Sequence, residues 1–357
     1  MQRLLMPLSI SNSKNISESN VENNSRKAAL FFGVKVAFLV LLFFVGLEFF
    51  TRTKLFGMSK DFARFASYPE RAKTLTQSPG FKIAFVGNSA TERGIDLDTF
   101  NRNFAVQSPQ TNLRTDLFVA DASKINTWHY LLNTYFWKPE LKPDLTIITY
   151  YQRNLEDGSN FEIGRLAQFF TTKDDWSDVL RHDLPNNGDR IEFVVSSGWA
   201  TFASRARTKE RVLSLFTPQY KEFVQTVSNM NEEHSKYLSL NTQHLTLNTS
   251  LPLNAHFALR RLLASAKTHG MRLCFVAYPT RPESGKSVGY DLDKEEVKLI
   301  ESAGMMFLDM REGGAQPVDH YADEIHLTPD GAKDYSEKFA AQLAKRLQVF
   351  TLHKSTF

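Results

Sequence analysis

Two hydrophobic rhythms divide the chain. From position 28 to position 50 the residues are almost continuously apolar, interrupted by Lys35 near one end and Glu48 near the other. A bilayer core takes about 20 apolar residues as helix, so this run reads as a transmembrane anchor, its two charges close enough to the ends to reach the headgroups. No stretch of small residues follows it, so it reads as retained rather than cleaved. Past residue 80 the rhythm shortens. Compact apolar runs fit strands at 81–86, 116–120, 145–149, 273–278 and 305–308, with helical patterns at 128–136, 256–269, 294–302 and 329–347. In the last of these, Thr328 suits the N-cap, Pro329 suits the first helical position, and Tyr335, Phe339 and Leu343 recur every four residues as one apolar face.

Short apolar strands alternating with helices predict an α/β fold: a parallel sheet covered on both faces, three layers in all. The stretch from about 155 to 253 breaks the alternation. It is polar, dense in Asp and Arg, carries Trp176, Trp199 and a helical pattern at 216–236, and reads as an insertion over the rim of the sheet. Residues 1–27, rich in Asn and Ser, read as a disordered cytoplasmic tail, and 51–79 as a juxtamembrane connector, helical in part around 62–66. The α/β domain is expected to span 80–350. Arg26 and Lys27 precede the anchor, with Arg3 and Lys14 further back, while Arg52 and Lys54 follow it; the bias toward a cytoplasmic N-terminus is slight.

The net charge of +4 on 357 residues comes without a basic face interleaved with aromatics, which argues against nucleic acid as a partner. Cys274 is the one cysteine, so no internal disulfide can form; it lies in an apolar run and reads as a small core residue. Asn248 opens a glycosylation sequon, a pattern too common by chance to weigh.

Chemistry enters at the ends of the strands. Ser89 follows the first strand, Asn154 follows the strand that Pro143 and Asp144 introduce, and Asp323 and His326 stand three apart just before the last helix. In parallel α/β sheets ligands gather beyond the carboxyl ends of strands. A serine needs a base to take its proton as it attacks, and an Asp-x-x-His turn can supply that base with its orienting carboxylate. Taken singly, each residue has a plainer reading as a turn, a cap or a solvated side chain; in this order they point to one site. A metal is the competing use of Asp319, His320, Asp323 and His326, but the two histidines stand six apart, against the four-residue spacing of helical zinc sites. The metal-free use ranks above it, and no cofactor is expected.

These blocks resemble the SGNH (GDSL-like) hydrolase superfamily. Gly87-Asn88-Ser89 stands where the family reads Gly-Asp-Ser, Asn154 matches the middle block, and Asp323 and His326 match the last. The second block supplies a glycine in the family; the equivalent stretch here, 119–124, holds Ala122 instead. The resemblance covers roughly 80–155 and 270–345. It implies a flavodoxin-like three-layer fold, Ser89 as nucleophile, His326 as base, Asp323 as its orienter, and an oxyanion held by Ser89, Ala122 and Asn154. Arg281 and Arg153 follow strands and could meet an anionic substrate, though a surface or salt-bridged role ranks above that for each. An anchored domain of this kind is similar to the alginate O-acetylation proteins and the D-alanyl-lipoteichoic acid transfer protein. That likeness implies an esterase or O-acyltransferase, outward-facing at the inner or plasma membrane, acting on an acyl ester or envelope polysaccharide, with a multispanning acyltransferase as partner. A non-catalytic tethered scaffold with the same fold is the rival, motivated by the missing glycine and the long insertion.

Overall fold

The computed structural model describes residues 13–109, 111–157, 162–184, 186–205, 256–282 and 286–354. The chain divides into two compact units, residues 1–57 and 58–357.

The first unit is dominated by helix α1, Ser13–Phe50, which passes into a wider helical turn at Thr51–Leu55. Ala29–Lys54, 26 residues, is long and apolar enough to cross a membrane. At about 1.5 Å per residue it extends about 39 Å, more than a hydrocarbon core of about 30 Å. The helix starts at Ser13, within the segment expected to be disordered, while residues 1–12 lie outside the described set. No glycine or proline stands between positions 13 and 27 to stop a helix growing backward from the apolar segment, and each added residue closes one more hydrogen bond.

The second unit is a three-layer α/β/α fold. Five parallel strands, β1 (Phe81–Gly87), β2 (Leu113–Val119), β3 (Leu145–Tyr150), β4 (Leu273–Ala277) and β5 (Met306–Asp309), lie in the order β2-β1-β3-β4-β5. β3 and β4 are buried at every position, as uninterrupted apolar runs covered on both faces should be. The strand order turns back between β1 and β3, so the crevice beyond their carboxyl ends is where a ligand site belongs.

Side chains on alternate positions of the strands feed two cores. Ile83 and Phe85 of β1 join Ile147, Cys274 and Val276 against helices Leu97–Gln107 and Pro329–Lys354. There Phe85 meets Phe100 edge-on at 5.1 Å, and Phe100 lies 5.3 Å from Phe339. On the other face Phe118, paired in register with Val86, packs against Tyr68 at 5.2 Å and Phe136 at 4.9 Å. Burying each such aromatic side chain contributes about 1.5–3 kcal/mol before its entropy cost.

Several boundaries differ from the sequence reading for physical reasons. Helix Lys60–Gln77 runs straight through Pro69, because Phe62, Phe65, Tyr68, Ala72 and Leu75 form one buried stripe whose packing outweighs the lost backbone bond. The Tyr68 hydroxyl accepts from Val119 N at 2.8 Å and donates to Val119 O at 2.6 Å, satisfying the end of edge strand β2. Helix Leu97–Gln107, not foreseen, is mostly polar and shows only Phe100 and Phe104 as its large buried side chains, with Asp96 capping it through Thr99 N. The described part of the insertion is helical, its longest piece being Asn187–Gly198; the expected helix at 216–236 and Asn248 lie outside the described residues.

Candidate active site

Ser89 is the first residue of helix Ser89–Gly94, reached from β1 through Gly87 and Asn88. A side chain at Gly87 would run into the hydroxyls of Thr91 and Thr149, which hydrogen-bond each other beneath the turn, so only glycine lets the chain turn this tightly. Asn88 caps the helix: its Oδ1 accepts from Ala90 N at 3.1 Å, while Thr91 Oγ1 accepts from Asn88 N at 3.2 Å. As the first helical residue, Ser89 has an N–H with no intrahelical acceptor.

His326 arrives from a closed loop ahead of the final helix. A bridge between Tyr321 and Leu327 and the bonds Ala322 N to His326 O and Thr328 N to His320 O, each 2.8 Å, fix its ends. Within it Asp323 Oδ1 accepts from Ile325 N at 2.8 Å and His326 N at 2.7 Å, while Oδ2 meets His326 Nδ1 at 2.7 Å. The other ring nitrogen, Nε2, lies 2.9 Å from Ser89 Oγ, a contact between residues 237 positions apart. A neutral ring that donates Nδ1–H to Asp323 presents Nε2 to the serine as an acceptor. Partial burial alone would raise the Asp323 carboxyl, but the bonds from the His326 backbone and ring and from Ile325 N outweigh it and hold the group below the usual carboxylate range.

Asn154 sits in the short turn Gln152–Leu155 beyond β3 and is 7% exposed. Its Oδ1 accepts from Tyr151 N at 3.0 Å and from Asn88 Nδ2 at 3.3 Å. Because Tyr151 N–H can only donate, the oxygen must face it, and the Asn154 NH2 group is turned the other way. Asn88 Nδ2 also donates to Ser123 O at 3.3 Å. Beside Ser123, Ala122 has φ +50°, the left-handed conformation, so alanine here keeps the backbone shape that glycine adopts most readily. Ser123 Oγ holds the loop, donating to Ala120 O at 2.5 Å and accepting from Trp128 Nε1 at 2.8 Å. Among the described residues the Ala122 N–H has no backbone acceptor. Gln152, with φ +44°, is a second strained residue on the loop that carries Asn154.

Ser89, His326 and Asp323 are thus in one hydrogen-bonded line, and Asn88 ties the Ser89 turn to the Ala122–Ser123 loop and to Asn154. The two arginines stand apart from that line. Arg153 is exposed and paired with Glu156 at 2.6 Å. The Arg281 backbone N–H bonds Glu324 O at 2.9 Å, next to Asp323, and its side chain is exposed. His320 turns to Gln316 Oε1 at 3.2 Å and Asp334 at 3.4 Å rather than toward His326, so the imidazoles weighed as metal ligands do not share a site. Cys274 is fully buried, and burial pushes its thiol up to about 12, as befits a core residue. What sequence reasoning missed is the bridging role of Asn88; the signal available was an amide in place of the acid before the serine.

No family model matches the chain, and no curated protein matches it. Solved structures similar to it include LAE5, an alpha/beta hydrolase enzyme from the metagenome of Lake Arreo, at 13% identity over 75% of this chain and 96% of that one, with a TM-score of 0.35. A putative GDSL-like lipase from Parabacteroides merdae is similar at 12% identity over 73% and 95%, with a TM-score of 0.35. An acetyl-xylooligosaccharide esterase from Geobacillus stearothermophilus is similar at 11% identity over 74% and 94%, with a TM-score of 0.36. Likeness at this level assigns no chemistry, which has to come from Ser89, His326 and their surroundings.

Proposed function

We propose that the chain is a serine-dependent esterase or O-acyltransferase of the SGNH type, held at a membrane by α1. The observation that carries this reading is the 2.9 Å separation of Ser89 Oγ and His326 Nε2, with Asp323 behind the ring at 2.7 Å. That is the hydrogen-bond reach a base needs to take a serine proton.

In the proposed reaction Ser89 Oγ attacks the acyl carbonyl carbon as His326 Nε2 takes its proton, and the carbonyl becomes a tetrahedral oxyanion. Asp323 stabilises the imidazolium so formed. The N–H groups of Ser89 and Ala122 and the Asn154 amide are the donors for the oxyanion. Collapse breaks the bond to the leaving oxygen, which receives the proton from His326, and leaves an acyl-serine. Water or a sugar hydroxyl, deprotonated by the same ring, then attacks that ester and frees Ser89. Water makes the protein an esterase; a glycan hydroxyl makes it a transferase.

The anchor favours a substrate near the membrane, and the slight charge bias around it favours an extracytoplasmic domain. An acetylated envelope polysaccharide is the substrate we propose, with a multispanning acyltransferase as the upstream acyl donor. The left-handed backbone at Ala122 supports the catalytic reading over the scaffold alternative, for which the long insertion is the remaining motive. The test is hydrolysis of a small acetyl ester by the full chain in detergent, wild type against Ser89→Ala. Turnover by the wild type no faster than by the alanine variant rejects the reading.

A further inference from the structure

Away from Ser89, one cluster of ligating side chains lacks the partners that its burial calls for. His256, Asp293 and Glu296 each present one ligand atom, all within 4.8 Å of one another, the one such group found among the described residues. His256 occupies the N-cap of helix Phe257–Thr268; Asp293 caps helix Lys294–Ser302, and Glu296 lies in its first turn. Two helix ends that flank β4 in the sequence therefore meet at these three side chains.

Capping does not use up these groups. Asp157 already accepts from Phe257 N at 2.8 Å and Ala258 N at 2.7 Å. Asp293 caps with Oδ1, through Glu295 N at 2.8 Å, which leaves Oδ2 directed at His256. The separations are 3.5 Å from His256 Nε2 to Asp293 Oδ2 and 3.6 Å from His256 Nδ1 to Glu296 Oε1, too long for good hydrogen bonds. The His256 side chain is nine-tenths buried (10% exposed), that of Glu296 is 3% exposed, and His256 Nδ1 is buried with no hydrogen-bond partner. Among the described residues no lysine or arginine pairs with Asp293 or Glu296, and the one cation within reach is His256 itself if protonated. A buried carboxylate without a counter-charge is costly, and a cation among the three groups removes that cost.

We propose that His256, Asp293 and Glu296 form a binding site for a divalent transition-metal ion, with zinc(II) the best match to the donor set. One imidazole and two carboxylates are donors zinc accepts, and bonds of about 2.0–2.2 Å in a tetrahedron put ligand atoms about 3.3–3.6 Å apart. One ligand atom from each residue already lies within 4.8 Å of the other two, but the two carboxylates face different ring nitrogens, so the side chains must turn for the ring to bind through one nitrogen, with water taking the fourth position. The ion clamps the two helix ends together beside the loop after β3, where Glu156 and Asp157 follow the turn that holds Asn154. The site is a structural clasp and stands or falls independently of the proposed acyl chemistry.

The test uses the full chain in detergent, stripped with a chelator, dialysed against zinc and analysed for bound metal after gel filtration. The expected result is one zinc per wild-type chain and a zinc-dependent rise in unfolding temperature. Affinity should fall at least about tenfold in Glu296→Gln and in His256→Ala. Asp293→Asn keeps the capping oxygen and guards against a variant that merely misfolds; with a native circular dichroism spectrum it should show the same loss. Failure of the wild type to retain zinc overturns the proposal. So does zinc that binds Asp293→Asn as tightly as wild type, or that remains when all three residues are replaced.

Discussion

Asn88 Nδ2 donates to Asn154 Oδ1 at 3.3 Å, so the residue before the candidate nucleophile orients the candidate oxyanion donor. The same amide group donates to Ser123 O, beside Ala122. A carboxylate at position 88 could still cap the helix but has no proton to give either acceptor. Asn88→Asp is therefore expected to lower kcat on an acetyl ester about tenfold or more with little change in KM, since only the oxyanion donors are disturbed. Asn154→Ala, which removes a donor outright, should cost about 10²–10³ in kcat. Steady-state kinetics check both; a rise in KM at constant kcat for Asn88→Asp would count against positioning.

His326 is within hydrogen-bond reach of both Ser89 and Asp323, so the three should fail as a unit. Ser89→Ala should abolish turnover together with covalent labelling by a fluorophosphonate probe. Asp323→Asn keeps an acceptor for the loop N–H groups but favours the wrong ring tautomer, and a loss of about 10²–10⁴ in kcat is expected. Labelling of Ser89→Ala as strong as wild type would place the reactive group elsewhere.

Folding lowers the Asp323 pKa, which sets the sign of its contribution to acid stability. The ionised group adds stability above its unfolded value of about 3.9, and that gain disappears as pH falls through the lower folded value. The side chain is half exposed, so solvent screening keeps the effect small. Chemical denaturation of wild type and Asp323→Asn should show a wild-type advantage at neutral pH that shrinks below about pH 4. An advantage that grows in acid would contradict the hydrogen bonds described.

Ala122 pays for its left-handed backbone, a conformation that costs a non-glycine residue roughly 1–2 kcal/mol. Ala122→Gly should leave activity near normal and raise stability by up to about 1 kcal/mol, the relief of strain being partly offset by a more flexible unfolded chain. Ala122→Val, branched at Cβ, should lose both stability and turnover. Urea melts of the two variants decide it, and equal stability of Gly and Val would mean the loop relaxes out of this conformation.

The sheet was legible where burial on both faces leaves uninterrupted apolar runs, as in β3 and β4. It was less so in β2, an edge strand whose first residues, Leu113 to Asp116, mix polar and apolar positions because none of them is fully buried. The Lys60–Gln77 helix was obscured by Pro69, whose local cost is overridden by a tertiary stripe no local rule contains. At the candidate site, Ser89 stood out at a strand end, and Asp323 and His326 by their three-residue spacing ahead of the last helix. Asn88 was not, since its bond to Asn154 joins positions 66 apart and depends on the β1–β3 pairing. The backbone of Ala122 was hidden for a different reason: nothing about an alanine in a sequence announces a positive φ, as a glycine there would.

Asp183 carries the described part of the insertion into the body of the domain. Its side chain is 1% exposed and accepts from Asn126 Nδ2 at 2.6 Å, from the Tyr130 hydroxyl, and from Arg261 at 2.9 and 3.0 Å. Among the described residues Arg261, itself 11% exposed, draws its neutralising charge from this one carboxylate. Asp183→Asn preserves shape but strands the guanidinium, and breaking a buried pair from one side typically costs about 3–5 kcal/mol. Replacing both partners, Asp183→Leu with Arg261→Met, removes the stranded charge and should recover a large part of that loss. Denaturant unfolding of the two single variants and the double variant measures the coupling directly. Turnover per folded molecule should stay within a few-fold of wild type in all three, because none of these side chains touches Ser89, Asn154 or His326. Additive losses in the double variant would show that Asp183 and Arg261 do not act as a pair.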